Sequence, residues 1–258
     1  MGDFLDLLAK DAIKTIQSGY YDETLYVTRK PVSLEEALSE ASGNPVIAEI
    51  KAASPSKGIL NRNFDPVKLA ETMMSSGATA ISVLTEPTHF YGSLSYLHRI
   101  SEILQCPILM KDVIISPLQV KAAKKMGAAA VLLIYTLYRR GYGDLSLDEM
   151  ISYVHGEGLE VLLETHTVDE FEAASLTEAD IVGINNRDLK TLETDLSVTE
   201  RILAEAGHPD KLVVSESGIS SAQDIRYLRG CGADAFLVGS SIMATSNPGF
   251  KVRELVDA

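Results

Sequence analysis

The chain has 258 residues, 46% of them hydrophobic and 23% charged, which is enough apolar material for one large core and excludes disorder as the main state. Its formal charge of −13, from 23 Lys+Arg against 36 Asp+Glu, argues against a nucleic-acid binder, whose phosphate contacts need a basic face. No apolar run approaches the roughly 20 residues of a membrane span, so a cytoplasmic protein that binds neither membrane nor nucleic acid is expected.

In chain order, Phe4, Leu5, Leu7, Leu8, Ile13 and Ile16 come first and fall on a helical face. Asp3 and Asp6 stand where an export signal would be basic, and Lys10-Asp11 interrupts the apolar stretch, so no signal peptide is expected. Myristoylation of Gly2 is not expected either, because position 6 is Asp instead of Ser or Thr. Ser33 followed by Glu36 is a capping-box pair and predicts a second helix over Ser33–Glu40. No linker sets this region apart. Residues 1–45 are expected to form a helical extension packed on a single domain spanning 1–258, over one of its ends.

Eight short apolar runs follow: Val46–Ile50, Ala80–Leu84, Ile108–Met110, Ala130–Ile134, Glu160–Leu163, Ile181–Ile184, Leu212–Val214 and Ala235–Val238. Most are continuous in apolar residues instead of alternating, as strands buried on both faces are. The stretches between them suit helices. Asp65-Pro66 and Ser116-Pro117 each supply an N-cap with Pro at the first helical position, and Ser220 or Ser221 opens a third helix. Eight strands alternating with helices predict a (β/α)8 TIM barrel, an α/β fold with the N-terminal helical extension added.

An internal repeat supports the barrel. Ser76-Gly77-Ala78-Thr79-Ala80, Met126-Gly127-Ala128-Ala129-Ala130 and Cys231-Gly232-Ala233-Asp234-Ala235 each end a helix at a glycine and enter a strand through small residues. Leu176-Thr177-Glu178-Ala179-Asp180 is a degenerate copy. The copies recur about every 50 residues, the length of two strand–helix units. Gly-Ala is also a common helix terminator, and it is the even spacing that points to the fourfold repeat. Cys106 and Cys231 match neither a CxxC nor a metal spacing, so two reduced structural thiols are expected.

Function in a barrel sits where strands end, so the residues closing each run are the candidates. They are Glu49 and Lys51 with Ser54-Pro55-Ser56-Lys57-Gly58, then Thr85-Glu86, Lys111-Asp112, Tyr135-Thr136, Glu164 and His166, Asn185-Asn186-Arg187-Asp188, Ser215-Glu216-Ser217-Gly218 and Gly239-Ser240-Ser241. Acids and lysines brought into one partly buried mouth have shifted pKa values and suit proton transfer. A solvated ring of rim charges is the plain alternative. The small residues after strands 7 and 8 let backbone N–H groups approach a phosphate, although most Gly-Ser pairs are only turns. There is no GxxxxGK[ST] loop, HExxH helix or GxSxG elbow; Gly141-Tyr142-Gly143 is only a partial GxGxxG, and no metal constellation emerges. His166 is the one histidine near a strand end.

Several segments resemble the indole-3-glycerol-phosphate synthase family. They are Ile47-Ala48-Glu49-Ile50-Lys51-Ala52-Ala53-Ser54-Pro55-Ser56-Lys57-Gly58, Leu84-Thr85-Glu86 with Phe90-Tyr91-Gly92-Ser93, and Ile108-Leu109-Met110-Lys111-Asp112. The resemblance continues through Leu162-Leu163-Glu164-Thr165-His166, Gly183-Ile184-Asn185-Asn186-Arg187-Asp188-Leu189, Ser215-Glu216-Ser217-Gly218-Ile219 and Phe236-Leu237-Val238-Gly239-Ser240-Ser241, covering nearly the whole chain. The first of these and the Asn-Asn-Arg-Asp-Leu run are distinctive of the family; generic phosphate barrels share only the last two. The chain departs from the pattern at Ala52-Ala53, where many relatives have a basic residue, at Val113, where an aromatic is common, and at Thr167, where Asp or Asn is frequent.

The resemblance implies ring closure of 1-(2-carboxyphenylamino)-1-deoxyribulose 5-phosphate with loss of CO₂ and water, a step of tryptophan synthesis needing no cofactor. Lys111 is the expected general acid at the ketone. Glu164 is assigned to proton transfer in dehydration, Lys51 to a second acid within reach of the anionic groups, and Glu49 to a base or orienter. The residues do not divide the individual proton transfers among these three. Asn185 and Arg187 are expected around the hydroxyls and carboxyphenyl end, and Arg187 has a structural salt bridge as its other reading. Glu216 is expected at the sugar hydroxyls or beside a lysine, with Ser54, Ser217, Gly218, Gly239 and Ser240 at the phosphate or closing the pocket. Phe90, Leu132 and Leu237 are apolar walls, a role that plain core packing equally accounts for. The partner is then a small phosphorylated molecule, and a monomer is expected. Two other readings of the same residues stay open here: a Schiff-base aldolase or phosphosugar isomerase with Lys111 as nucleophile, and a non-catalytic barrel that binds a phosphometabolite.

Overall fold

The structure is a computed structural model that describes residues 3–22, 25–28, 30–54, 58–60, 64–189 and 191–258. Gly2, Pro55, Ser56, Lys57 and the side chain of Ser54 lie outside the described residues. Eight parallel strands close into a barrel: β1 (Val46–Ile50), β2 (Ala80–Leu84), β3 (Ile108–Lys111), β4 (Ala130–Ile134), β5 (Glu160–Thr165), β6 (Ile181–Asn185), β7 (Leu212–Glu216) and β8 (Ala235–Val238). Closure runs through β1, which pairs Ile47 with Leu237 of β8 and Glu49 with Ser82 of β2, leaving no open edge.

Four strands run beyond the apolar stretches that predicted them. β3 takes in Lys111, β5 Glu164 and Thr165, β6 Asn185, and β7 Ser215 and Glu216. Hydropathy marks where apolar residues stop, whereas the ladder of backbone hydrogen bonds continues through the polar ones.

The helices form where their caps foretell. Asp65 caps α3 (Pro66–Ser75) through the Val67 N–H, Ser116 caps α5 (Pro117–Lys125) in a full capping box, and Ser221 does the same for α10 (Ala222–Gly230). The repeated glycines after α3, α5 and α10 have φ of 101°, 84° and 106°, the left-handed region that only glycine enters freely. The degenerate copy turns without glycine, the Thr177 hydroxyl accepting from the Ala179 N–H and donating to the Ala174 carbonyl. Two copies also carry an Asp with one task. Asp180 accepts from the Val161 N–H at 2.7 Å and Asp234 from the Val213 N–H at 2.8 Å, each securing the start of the preceding strand.

Two helices precede β1, namely α1 (Phe4–Gln17) and α2 (Leu34–Ser39). They touch opposite ends of the barrel. The Leu34 and Glu35 N–H groups of α2 donate to the Glu160 carboxylate, at the first residue of β5. α1 lies at the other end, where Phe4 and Leu8 line the mouth cavity. Arg140, just after α6 (Tyr135–Arg139), grips its start with 2.7 Å bonds to Asp3 and Asp6.

Candidate active site

Strand pleat decides which side chains enter the barrel. Ile47, Leu109, Leu162, Ile181, Val214 and Leu237 pack together inside, while Val46, Ala48, Ile50, Ile108, Met110, Val161, Leu163 and Val182 face the helices. Side chains two residues apart share a face. The inward series therefore reads Ile47, Glu49 and Lys51 on β1 and just beyond it, Leu109 and Lys111 on β3, Leu162 and Glu164 on β5, Ile181, Gly183 and Asn185 on β6, and Val214 and Glu216 on β7. Each series is apolar at the strand's start and polar at its end, so the polar groups gather at the C-terminal mouth.

There they line one cavity of about 500 Å³. Around it lie Glu49, Lys51, Phe90, Lys111, Leu132, Glu164, Asn185, Arg187, Glu216, Ser217, Gly218, Leu237, Gly239 and Ser240. These are all the residues given a catalytic or binding role above except Ser54, whose side chain lies outside the described residues. Val113 forms part of the wall where relatives commonly have an aromatic.

Two ion-pair groups occupy the floor. Lys51 Nζ lies 2.5 Å from Glu49 Oε1. Lys111 Nζ lies 2.7 Å from Glu216 Oε2 and 3.3 Å from Glu164 Oε2. The three carboxylates are buried and the two ammonium groups nearly so. Burial alone would lower the pKa of Lys111, but Glu216, Glu164 and Glu49 outweigh it and hold the group as an ammonium. Burial would raise Glu164, yet the Lys111 charge, His166 and a hydrogen bond from Asn185 hold it below the usual carboxylate range. Glu216 goes the other way. Burial first, then the neighbouring Glu164 and Glu49 charges, push it up to about 7 against the pull of Lys111.

That last shift has a stability consequence. A carboxyl raised from 4.5 to about 7 favours the fold below pH 4.5 and loses that contribution as pH rises through 7. Glu216→Gln removes the dependence. The Tm of the variant minus that of the parent chain is expected to grow by several degrees between about pH 4.5 and pH 8, at about 2–4 °C per kcal/mol. A difference that stays flat across that range would contradict the raised value.

Two glycines make room for these carboxylates. A Cβ on Gly183 would collide with Glu216 Oε1, and one on Gly239 with Glu49 Oε1. Gly239 thus has a steric task as well as the expected backbone one. Beside Lys111, Asp112 accepts from the Tyr21 hydroxyl at 3.0 Å, the Thr85 hydroxyl at 2.5 Å and the Val113 N–H at 2.7 Å. Burial raises Asp112 to about 6. Glu86 accepts from the Thr88, His89 and Phe90 N–H groups and so shapes the loop that presents Phe90. Arg187 Nη1 donates to the Leu192 carbonyl at 2.8 Å, and no carboxylate lies within ion-pair distance of it among the described residues. After β7 and β8, Ser217 and Gly218 have φ of 67° and 86°, and Gly239 leads into the four-residue helix α11 (Ser240–Met243).

Sequence reasoning missed Phe4 and Leu8, which reach the cavity from outside the barrel repeats, and Leu192 and Thr194, which lie in a loop without periodicity. It passed over Gly183 as part of a motif, although a glycine within an apolar strand signals a close approach.

A smaller cavity of about 290 Å³ adjoins the first and shares Asn185, Arg187 and Leu189 with it. Asp3, Thr136, Arg139, Arg140, His166, Glu170, Asp188 and Arg201 also line it. His166 lines the smaller cavity, its Nε2 3.8 Å from Oε1 of Glu164, which lines the larger one. Neither of its ring nitrogens has a hydrogen-bond partner among the described residues.

The family described as indole-3-glycerol phosphate synthase matches residues 9–255 of this chain. A protein of that description from Carboxydothermus hydrogenoformans is 44% identical over 227 residues, 86% of this chain and 83% of the relative. Another, from Methanocaldococcus jannaschii, is 43% identical over 252 residues, 96% of this chain and 92% of the relative. Among solved structures, a mutant tryptophan synthase alpha-subunit from Pyrococcus furiosus matches with a TM-score of 0.63 at 15% identity, covering 83% of this chain and 98% of that one. A thiamine phosphate pyrophosphorylase from the same organism matches with a TM-score of 0.57 at 15% identity, covering 82% and 93%. At that identity these structures show the barrel fold alone.

Proposed function

The chain belongs to the indole-3-glycerol phosphate synthase family, and from that premise we propose how its barrel mouth carries out the family's reaction. The substrate is 1-(2-carboxyphenylamino)-1-deoxyribulose 5-phosphate. Its ring carbon bearing the carboxylate attacks the ketone, CO₂ leaves, and water is eliminated to give indole-3-glycerol phosphate for tryptophan synthesis. The enzyme is a carboxy-lyase. The observation that carries the site assignment is the meeting of Lys51, Lys111 and Glu164 in one cavity with apolar walls.

Lys111 donates a proton to the ketone oxygen as the carbon–carbon bond forms, where negative charge develops. Its raised pKa keeps it protonated and opposes a Schiff-base mechanism, which needs the free amine. Glu216 holds Lys111 in place from 2.7 Å. Glu164 transfers the proton in dehydration. Lys51, paired with Glu49, is a second acid near the anionic groups, and Glu49 serves as base or orienter. Asn185 and Arg187 hold the carboxyphenyl end. The backbone N–H groups of Ser217, Gly218, Gly239 and Ser240 bind the phosphate, with Ser54 completing that end. Phe90, Leu132 and Leu237 keep the ring flat against the ketone.

A chain at −13 repels a substrate carrying two anionic groups, but such repulsion is screened beyond about 8–10 Å. The lysines, Arg187 and the loop N–H groups therefore decide binding. Adding the substrate to the pure protein should produce indole fluorescence over a weak background, since the chain has no Trp. No emission above background would refute the proposed activity.

Residues 1–45 are proposed as a helical extension of one domain spanning 1–258, with α1 closing the mouth. Phe4 and Leu8 support this, as does the Arg140 grip on Asp3 and Asp6. Arg140→Ala is expected to raise KM about three- to tenfold with little change in kcat, a loss of about 1 kcal/mol of binding. An unchanged KM would argue against closure by α1. The remaining proposal is a cytoplasmic monomer acting on this small molecule without cofactor, nucleic acid or membrane. The acidic charge and two cysteines that form no disulfide support it, and no helix among the described residues is long and apolar enough to cross a membrane. Light scattering at the mass of two chains would overturn the monomer.

A further inference from the structure

The reaction has a proton balance that the catalytic cluster alone does not satisfy. A substrate carboxylate is lost as CO₂ and a hydroxyl leaves as water. Charge balance then requires one proton from solvent per turnover. Glu164 is held ionised in the free site, so it must gain a proton before it can act as the dehydrating acid. The catalytic carboxylates are buried, and a substrate bound in the mouth would cover them further. A second way in for protons is therefore needed.

His166 is placed to supply it. Its Nε2 lies 3.8 Å from Glu164 Oε1, one small adjustment from a hydrogen bond. The same side chain lines the smaller cavity, which reaches outward past Arg139 and the exposed Arg201. Both ring nitrogens are shielded from solvent and without a hydrogen bond among the described residues. Unpaired buried polar groups are costly, about 1–3 kcal/mol each, and their persistence calls for a task. Its neighbours leave the ring unclaimed. The His166 backbone N–H donates to Glu170, whose carboxylate also takes the Thr136 hydroxyl and lies 3.4 Å from Arg139.

We propose that His166 reloads Glu164 with its proton, drawing it from water in the side cavity. The imidazolium gives its Nε2 proton to the Glu164 carboxylate, and the neutral ring turns about its Cβ–Cγ bond to take a proton from water. Glu164 then protonates the departing hydroxyl, so the water released carries one proton from Lys111 and one drawn from solvent, and the methylene proton lost to the base Glu49 on rearomatisation offsets the one Lys111 gave up. His166 touches no reacting atom and acts through Glu164, so it is a positioning residue for dehydration. This inference rests on the assignment of Glu164 given above.

The test uses His166→Ala and His166→Gln in the full chain, followed by indole fluorescence. Both are expected to lower kcat about ten- to hundredfold with KM changed less than about threefold. Millimolar imidazole, small enough for the space left by the alanine, should restore much of the lost kcat in His166→Ala and leave the parent chain unaffected. Glutamine fills the site and hydrogen-bonds but carries no proton, so normal turnover in His166→Gln would overturn the proposal. So would a loss in His166→Ala that imidazole does not restore. If the alanine variant fails to fold, the glutamine variant decides. A parent chain that makes no indole refutes the activity itself, and an unimpaired Glu164→Gln variant refutes the Glu164 assignment, so these failures are told apart.

Discussion

Lys111→Ala should reduce kcat by roughly 10²–10⁴-fold while KM changes little. Attack on the ketone builds charge on its oxygen, and the Lys111 ammonium, held by Glu216 and Glu164, is the acid proposed for it. Nothing nearby replaces it. Lys51 is already paired with Glu49 at 2.5 Å. Arg187 already donates to the Leu192 carbonyl at 2.8 Å. The loss should therefore appear in the chemical step. Removing the ammonium also leaves two buried carboxylates without their counter-charge, a change that costs about 3–5 kcal/mol when a buried pair is broken. Those groups can take up protons instead, so the stability loss should shrink toward acid pH. Turnover within threefold of the parent chain, measured on folded Lys111→Ala, would rule out the general-acid role.

Glu164→Gln is expected to lower overall kcat by roughly 10²–10³-fold, with a different signature. Glutamine keeps the shape and hydrogen-bonding reach but neither donates nor accepts the proton of dehydration. Lys111 keeps its Glu216 contact at 2.7 Å, so ring closure should survive. Decarboxylation precedes dehydration. A single turnover should then release CO₂ well before indole fluorescence develops, whereas Lys111→Ala should delay both together. If CO₂ release and fluorescence slow in parallel in Glu164→Gln, Glu164 acts in the first step and its assignment to dehydration fails.

Gly183 and Glu216 illustrate what local sequence does not carry. They lie 33 positions apart in the chain, and nothing near either indicates that a methyl group on one would displace the carboxylate of the other. His166 is a middle case. Its place at a strand end is legible, but its position on the smaller cavity depends on β5 pairing with β6 and on α6 and α8 (Val168–Ser175) supplying Arg139 and Glu170. The electrostatics belong to the same class. Glu164 and Glu216 are both carboxylates near the ends of barrel strands, yet burial and the neighbouring Glu164 and Glu49 charges push Glu216 up, whereas the Lys111 charge, His166 and a hydrogen bond from Asn185 hold Glu164 low against its burial.

The amino-acid order by itself determined the eight strands, the caps that open α3, α5 and α10, the repeat that closes a barrel, and the polar residues at its mouth. These follow from period, capping chemistry and side-chain polarity over a few neighbouring positions. Only the tertiary structure decided that α1 walls the cavity, that Lys111 is shared by two glutamates, and that a second cavity reaches His166. Those depend on distances between groups remote in the chain, and burial and charge act through such distances.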